Sequence, residues 1–108
     1  MTSMLQEFDP VFAALGDPSR RTVLEKLAIA GESTATKLAE DLPISRQAVV
    51  KHLARLYHAR LVRSRRAGRE TLYRVNPTPL AEAAQTLEAL AQDWDRTLLS
   101  LKRIAEER

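Results

Sequence analysis

Apolar residues along most of this chain recur at three- and four-residue intervals, the spacing of one helix face. Phe8, Val11, Phe12 and Leu15 predict a first helix over about Leu5–Leu15, ended by Gly16. Asp17 before Pro18 reads as a helix cap followed by proline at the first helical position. The second helix runs to about Ala30 with Val23, Leu24, Leu27 and Ala28 at helical spacing, and Gly31 stops it. Ser33 or Thr34 caps a short third helix, about Ala35–Asp41, which buries Leu38 and Ala39. Leu42, Pro43 and Ile44 form a tight connection, because proline disfavours helix in the residue before it. Ser45 then caps a fourth helix reaching about Tyr57, with Val49, Leu53 and Leu56 facing inward.

Beyond this point the period shortens. Leu61, Val62 and the residues after them read as a strand, Ala67-Gly68-Arg69 as a turn, and Glu70–Val75 as a returning strand rich in β-favouring side chains. Asn76-Pro77-Thr78-Pro79 breaks the chain before a last helix over about Leu80–Glu106. In that helix Leu80, Leu87, Trp94 and Leu101 stand seven apart and keep one stripe on one face. Such a helix is roughly 40 Å long at about 1.5 Å per residue. It overhangs so small a body, and a second copy of the chain is its simplest cover. Two helices joined by a tight connection, the second better capped and more basic, make a helix-turn-helix, and the hairpin after it is a wing. The predicted fold is mostly α, an α+β winged helix, as a single domain over 1–108. Residues 5–75 form its core and DNA-reading part, and 77–106 its long last helix.

Charge sharpens this picture. The net charge is only +3. Residues 45–74, however, hold nine Lys or Arg (Arg46, Lys51, Arg55, Arg60, Arg63, Arg65, Arg66, Arg69, Arg74) against one acid, Glu70. Both flanks are mildly acidic. A basic block between acidic flanks is the footprint of a polyanion-binding surface, although a solvated face gives the same composition. The absence of cysteine excludes disulfides and thiolate metal sites. No run of eighteen apolar residues predicts a membrane span, and the first residues lack the pattern of a signal peptide, so a cytoplasmic protein is expected.

Three stretches then carry a resemblance. ALGDPSRRTVLEKLA (Ala14–Ala28) follows an ALADPTRR-x-x-L-x-x-L pattern, ISRQAVVKHLARL (Ile44–Leu56) follows S-x-x-A-V-S-x-H-L-x-x-L, and ARLVRSRRAGRETLYRV (Ala59–Val75) follows AGLV-x-x-R-x-G-R-x-x-x-Y. In this order and spacing, over about residues 10–75, the chain resembles the ArsR-type family of small winged-helix repressors. The resemblance implies a homodimer in which the first and last helices pair, here through Phe8, Val11, Phe12, Leu87, Leu90, Trp94, Leu98 and Leu101. It also implies repression of promoters, often the protein's own. Two departures stand out. Arg60 occupies a position where the family often has glycine, and a left-handed backbone there would cost roughly 1–2 kcal/mol. The cysteines or Asp/His/Glu sets of metal-sensing members are missing: His52 and His58 have no His or carboxylate three or four residues on. No metal and no cofactor are expected.

A recognition helix meets base edges with its first two turns. Arg46 suits guanine O6 and N7, Gln47 suits adenine, and Val50 suits a thymine methyl. Ser45 is expected either as a helix cap alone or as a cap that also joins a phosphate to the helix start. Lys51 and Arg55 hold phosphates. Arg65, Arg66 and Arg69 crowd a tight turn where their repulsion serves no folding purpose, which points to phosphate or minor-groove contact. Tyr73 is expected in the core, His52 in packing, and Trp94 at the core or the dimer seam. The function that follows is a dimeric, sequence-specific DNA-binding regulator on an imperfect inverted repeat. The alternative is a winged-helix module that binds protein or RNA. An enzyme is the weakest reading: Asp93 and Asp95 flank Trp94 but project to different sides of a helix. The sequence names no effector; a small molecule at the seam, a protein partner, or none would each fit.

Overall fold

A computed structural model describes residues 5–107. The first helix is split into a 3₁₀ turn at Gln6–Phe8 and α1 at Asp9–Leu15. One continuous helix from Leu5 was predicted. Pro10 accounts for the difference, because it has no N–H to donate to the carbonyl four residues back. Asp17 caps α2 (Pro18–Ala30), accepting from the backbone N–H of Ser19 at 2.8 Å and of Arg20 at 3.1 Å. The Arg20 bond above all holds its carboxyl below the usual range. Arg20 in turn donates through Nη1 to the Ala14 carbonyl at 3.2 Å, fastening the end of α1 to α2.

Thr34 is the cap of α3 (Ala35–Glu40), accepting from Lys37 N–H at 3.1 Å. Ser33, the other candidate, is drawn away into the sheet. Its N–H donates to the Tyr73 carbonyl at 3.0 Å, and the Tyr73 N–H donates back at 2.8 Å. This bridge lies beside an antiparallel hairpin of β1 (Val62–Ala67) and β2 (Glu70–Val75), registered from Val62 opposite Val75 to Ala67 opposite Glu70. Gly68 turns the hairpin with φ 64°, a value that glycine adopts without the cost borne by other residues.

The core lies where α2 and α4 (Arg46–His58) meet the base of the hairpin. Val23, Leu27, Val49, Leu53, Leu56 and Leu61 are fully enclosed. Each such side chain contributes about 1.5–3 kcal/mol relative to exposure. Tyr73 packs against this cluster, as expected for a core residue. Ala28 is exposed, because it falls at the outer margin of the α2 stripe, beyond Leu24. Phe8 and Val11, predicted at the dimer interface, are instead buried in the protomer's own core, at 7 % and 5 % exposure. The short helical span through Phe8–Leu15 has one apolar face, and α2 and α4 already cover most of it. Phe12 is half-buried and retains an outward part.

Arg60 closes α4 in the left-handed region, with φ 63°. Asn76 Nδ2 donates to the Arg60 carbonyl at 2.9 Å and the Leu61 N–H donates to Leu56 at 2.9 Å, so neighbouring bonds hold the strained residue in place.

The last helix, α5, spans Thr78–Glu106. It starts two residues before the predicted Leu80, since Pro79 is tolerated within a first turn. Ala83 is its buried residue and Leu80 packs against the core, whereas every described residue from Leu87 onward is exposed. The radius of gyration is 19.0 Å. A compact domain of about 100 residues would have roughly 13 Å, so α5 stands well clear of the body.

Candidate nucleic-acid interface

Helix α4 turns Val49, Leu53 and Leu56 into the core, and its opposite side is therefore forced outward. Ser45, Arg46, Gln47, Val50, Lys51 and Arg55 are all exposed, as the predicted reading face requires. Ala54 and His58 are also exposed on that side. Their position is implied by the helical period, but neither residue type announces base contact. His52 is half-buried. Ser45 Oγ accepts from the Ala48 N–H at 3.1 Å, so its cap role is made within the chain. Arg46 Nε donates to Thr36 Oγ1 of α3 at 3.0 Å, a partner that sequence pattern gave no reason to single out.

The wing divides its arginines. Arg66 and Arg69 are exposed and make no ion pair among the described residues. Arg65 is different. Its Nε and Nη2 donate to the two carboxylate oxygens of Glu32 at 3.0 and 2.8 Å, a fork-to-fork pair between the wing and the loop after α2. The reading that all three wing arginines lack a structural partner is thus corrected for Arg65. Glu32 precedes Ser33, and the Ser33–Tyr73 bridge brings it beside the hairpin; a partner 33 residues away leaves no local sequence signal. Arg63 stands opposite Arg74 in the register, and both are exposed.

A helix-turn-helix domain family matches residues 15–65, from the end of α1 into β1. The chain is 42 % identical over 90 residues to the HTH-type transcriptional regulator Rv2034 of Mycobacterium tuberculosis, covering 83 % of this chain and 80 % of that protein. The solved structure of an ArsR-like transcriptional regulator from Rhodococcus sp. RHA1 superposes with a TM-score of 0.86 at 41 % identity, over 96 % of this chain and 97 % of that one. The chain belongs to the ArsR-type family of winged helix-turn-helix regulators. It is also 36 % identical over 73 residues to the transcriptional repressor SdpR of Bacillus subtilis, covering 68 % of this chain and 80 % of that protein. This ArsR-type chain is a transcriptional regulator whose α3 and α4 form its helix-turn-helix DNA-binding unit. Among its described residues no three His, Cys, Asp or Glu are grouped to hold a metal, and no helix is long and apolar enough to cross a membrane.

The Glu32–Arg65 pair predicts a pH response for this ArsR-type wing. The bond from Arg65 holds the Glu32 carboxyl below its ordinary value of 4.5. A depressed carboxylate contributes its stability fully above the ordinary value and loses it as the pH falls through the lowered one. The Arg65 Nε–H resonance, followed by NMR, should therefore stay in its paired position at neutral pH and move to a free position below about pH 4.5. Glu32→Gln should abolish that movement. An Arg65 signal that titrates identically in the variant would show that another group holds it.

Proposed function

We propose that the protein is a homodimeric repressor that binds an imperfect inverted repeat in a promoter, its own included. The observation that carries this reading is the set of exposed cations on α4 and at the wing tip, Arg46, Lys51, Arg55, Arg66 and Arg69, none of which has an ion-pair partner among the described residues. Each protomer presents one such surface, and a two-fold pair of them fits two successive major grooves about one helical turn apart. In this assignment Arg46, Gln47 and Val50 meet base edges, while Ser45, Lys51, Arg55, Arg66 and Arg69 hold phosphates. Arg65 braces the wing through Glu32 and reaches DNA only by exchanging that partner. The chain works as one domain over 1–108, in which α5 pairs with its copy through Leu87, Leu90, Trp94, Leu98 and Leu101, with Phe12 at the margin. A promoter-binding role puts the protein in the cytoplasm. The likeness to SdpR, a transcriptional repressor, supports the direction of control.

A gel-shift titration tests this reading. A duplex from immediately upstream of the protein's own gene should be retarded, with two protomers bound, at concentrations about 10³-fold or more below those needed for a random duplex of equal length. Equal retardation of both duplexes would refute sequence-specific reading. Preference for single-stranded RNA would favour an RNA-binding module.

A further inference from the structure

We infer that Thr36 is a positioning residue that sets which edge of the Arg46 guanidinium meets a base pair. The inference rests on the proposal that Arg46 reads a base. Thr36 lies in the first turn of α3, is exposed, and contributes nothing to the core. It is not the helix cap either, because Thr34 makes that bond. What its hydroxyl does is accept from Arg46 Nε at 3.0 Å, across the helix-turn-helix connection and ten residues along the chain.

The chemistry of the guanidinium gives this bond a consequence. An arginine can present two donors to the O6 and N7 of guanine from its end edge, through both Nη atoms, or from its side edge, through Nε and one Nη. With Nε engaged by Thr36, the side edge is occupied and the end edge remains. A long side chain that would otherwise sample many rotamers is also tethered before DNA arrives, which lowers the entropy lost on binding. The partner is neutral. A carboxylate in place of Thr36 would hold Arg46 more strongly but would cancel the charge that DNA requires, as the Glu32–Arg65 pair illustrates on the wing. A hydroxyl orients the arginine and leaves its charge available.

The test uses the full-length protein and a duplex selected by it from a randomised pool, with a random duplex as control. Thr36→Val keeps the shape and the β-branching and removes the acceptor; Thr36→Ser restores an acceptor. Thr36→Val should weaken binding to the selected duplex about three- to tenfold per half-site, the worth of one hydrogen bond, with binding to the random duplex unchanged. Thr36→Ser should recover most of the loss. Arg46→Ala should lose about ten- to a hundredfold per half-site on the selected duplex and much less on the random one, and adding Thr36→Val to it should cost nothing further. An unchanged thermal midpoint of Thr36→Val confirms that α3 is intact; a lowered midpoint with discrimination unchanged in the folded protein overturns the inference. If Arg46→Ala weakens both duplexes equally, base reading by Arg46 fails and the inference with it. If Arg46→Ala is selective while Thr36→Val discriminates like the native protein, only the role of Thr36 is overturned. A loss on both duplexes in Thr36→Val would make Thr36 a phosphate contact instead.

Discussion

Raising the salt concentration from about 50 to 200 mM is expected to lower affinity for a specific duplex about 10³- to 10⁵-fold. The effect comes from counterions released when cationic groups neutralise phosphates, and its slope reports how many do so. Lys51, Arg55, Arg66 and Arg69 are exposed in each protomer. Two protomers therefore offer about eight cationic phosphate ligands, within the range of roughly six to ten that produces such a fall. The slope also apportions the wing. Replacing Arg66 and Arg69 together by alanine should reduce its magnitude by between three and four across a dimer, at about 0.9 per phosphate. Arg65→Ala should change it least, because that guanidinium is already engaged by Glu32. Binding isotherms at four or five salt concentrations measure all three slopes. A flat response in the native protein would count decisively against phosphate-dominated binding, and a slope change for Arg65→Ala of about half that of the Arg66 and Arg69 double replacement would show that DNA displaces Glu32.

Replacing Trp94 and Leu98 together by glutamate is expected to convert the protein to a monomer at micromolar concentration and to lower affinity for a two-half-site duplex about 10²- to 10⁴-fold, the loss of a second linked contact. Trp94 is 61 % exposed, and Leu87, Leu90, Leu98 and Leu101 lie exposed on the same stripe. Burying each would contribute about 1.5–3 kcal/mol. With the stripe present in both copies of a two-fold interface, the sum is enough to offset the roughly 4–15 kcal/mol cost of association. Glutamates placed there meet their own copies across the two-fold axis and must also shed water. Sedimentation equilibrium gives the oligomeric state, and circular dichroism confirms that the body retains its helices. Its core is remote from the substitutions, since among the described residues α5 enters the core through Leu80 and Ala83 alone. A variant that remains dimeric would place the interface elsewhere.

The exposed side of α4 was open to sequence analysis because helical period alone decides it. Once Val49, Leu53 and Leu56 are inward, Arg46, Gln47, Val50 and Lys51 have nowhere to point but out. The wing was equally open, since glycine at the turn and β-favouring residues on both sides are local signals. Helix boundaries depended on proline chemistry at Pro10 and Pro79, which shifted the start of α1 and α5 by a few residues without altering the elements.

What the sequence determined by itself was the order of elements, the inward and outward faces, the capping at Asp17 and Ser45, and a basic block with no cysteine chemistry. All of these follow from neighbours within a turn or a strand pair. Tertiary structure decided the rest. It enclosed Phe8 and Val11 in the protomer, because α2 and α4 pack against that face. It joined Glu32 to Arg65 and Thr36 to Arg46, pairs made by elements folding back on one another. It also held Arg60 in a left-handed turn through Asn76, sixteen residues on. Periodicity records which way a side chain points, but only three-dimensional packing determines what it meets there.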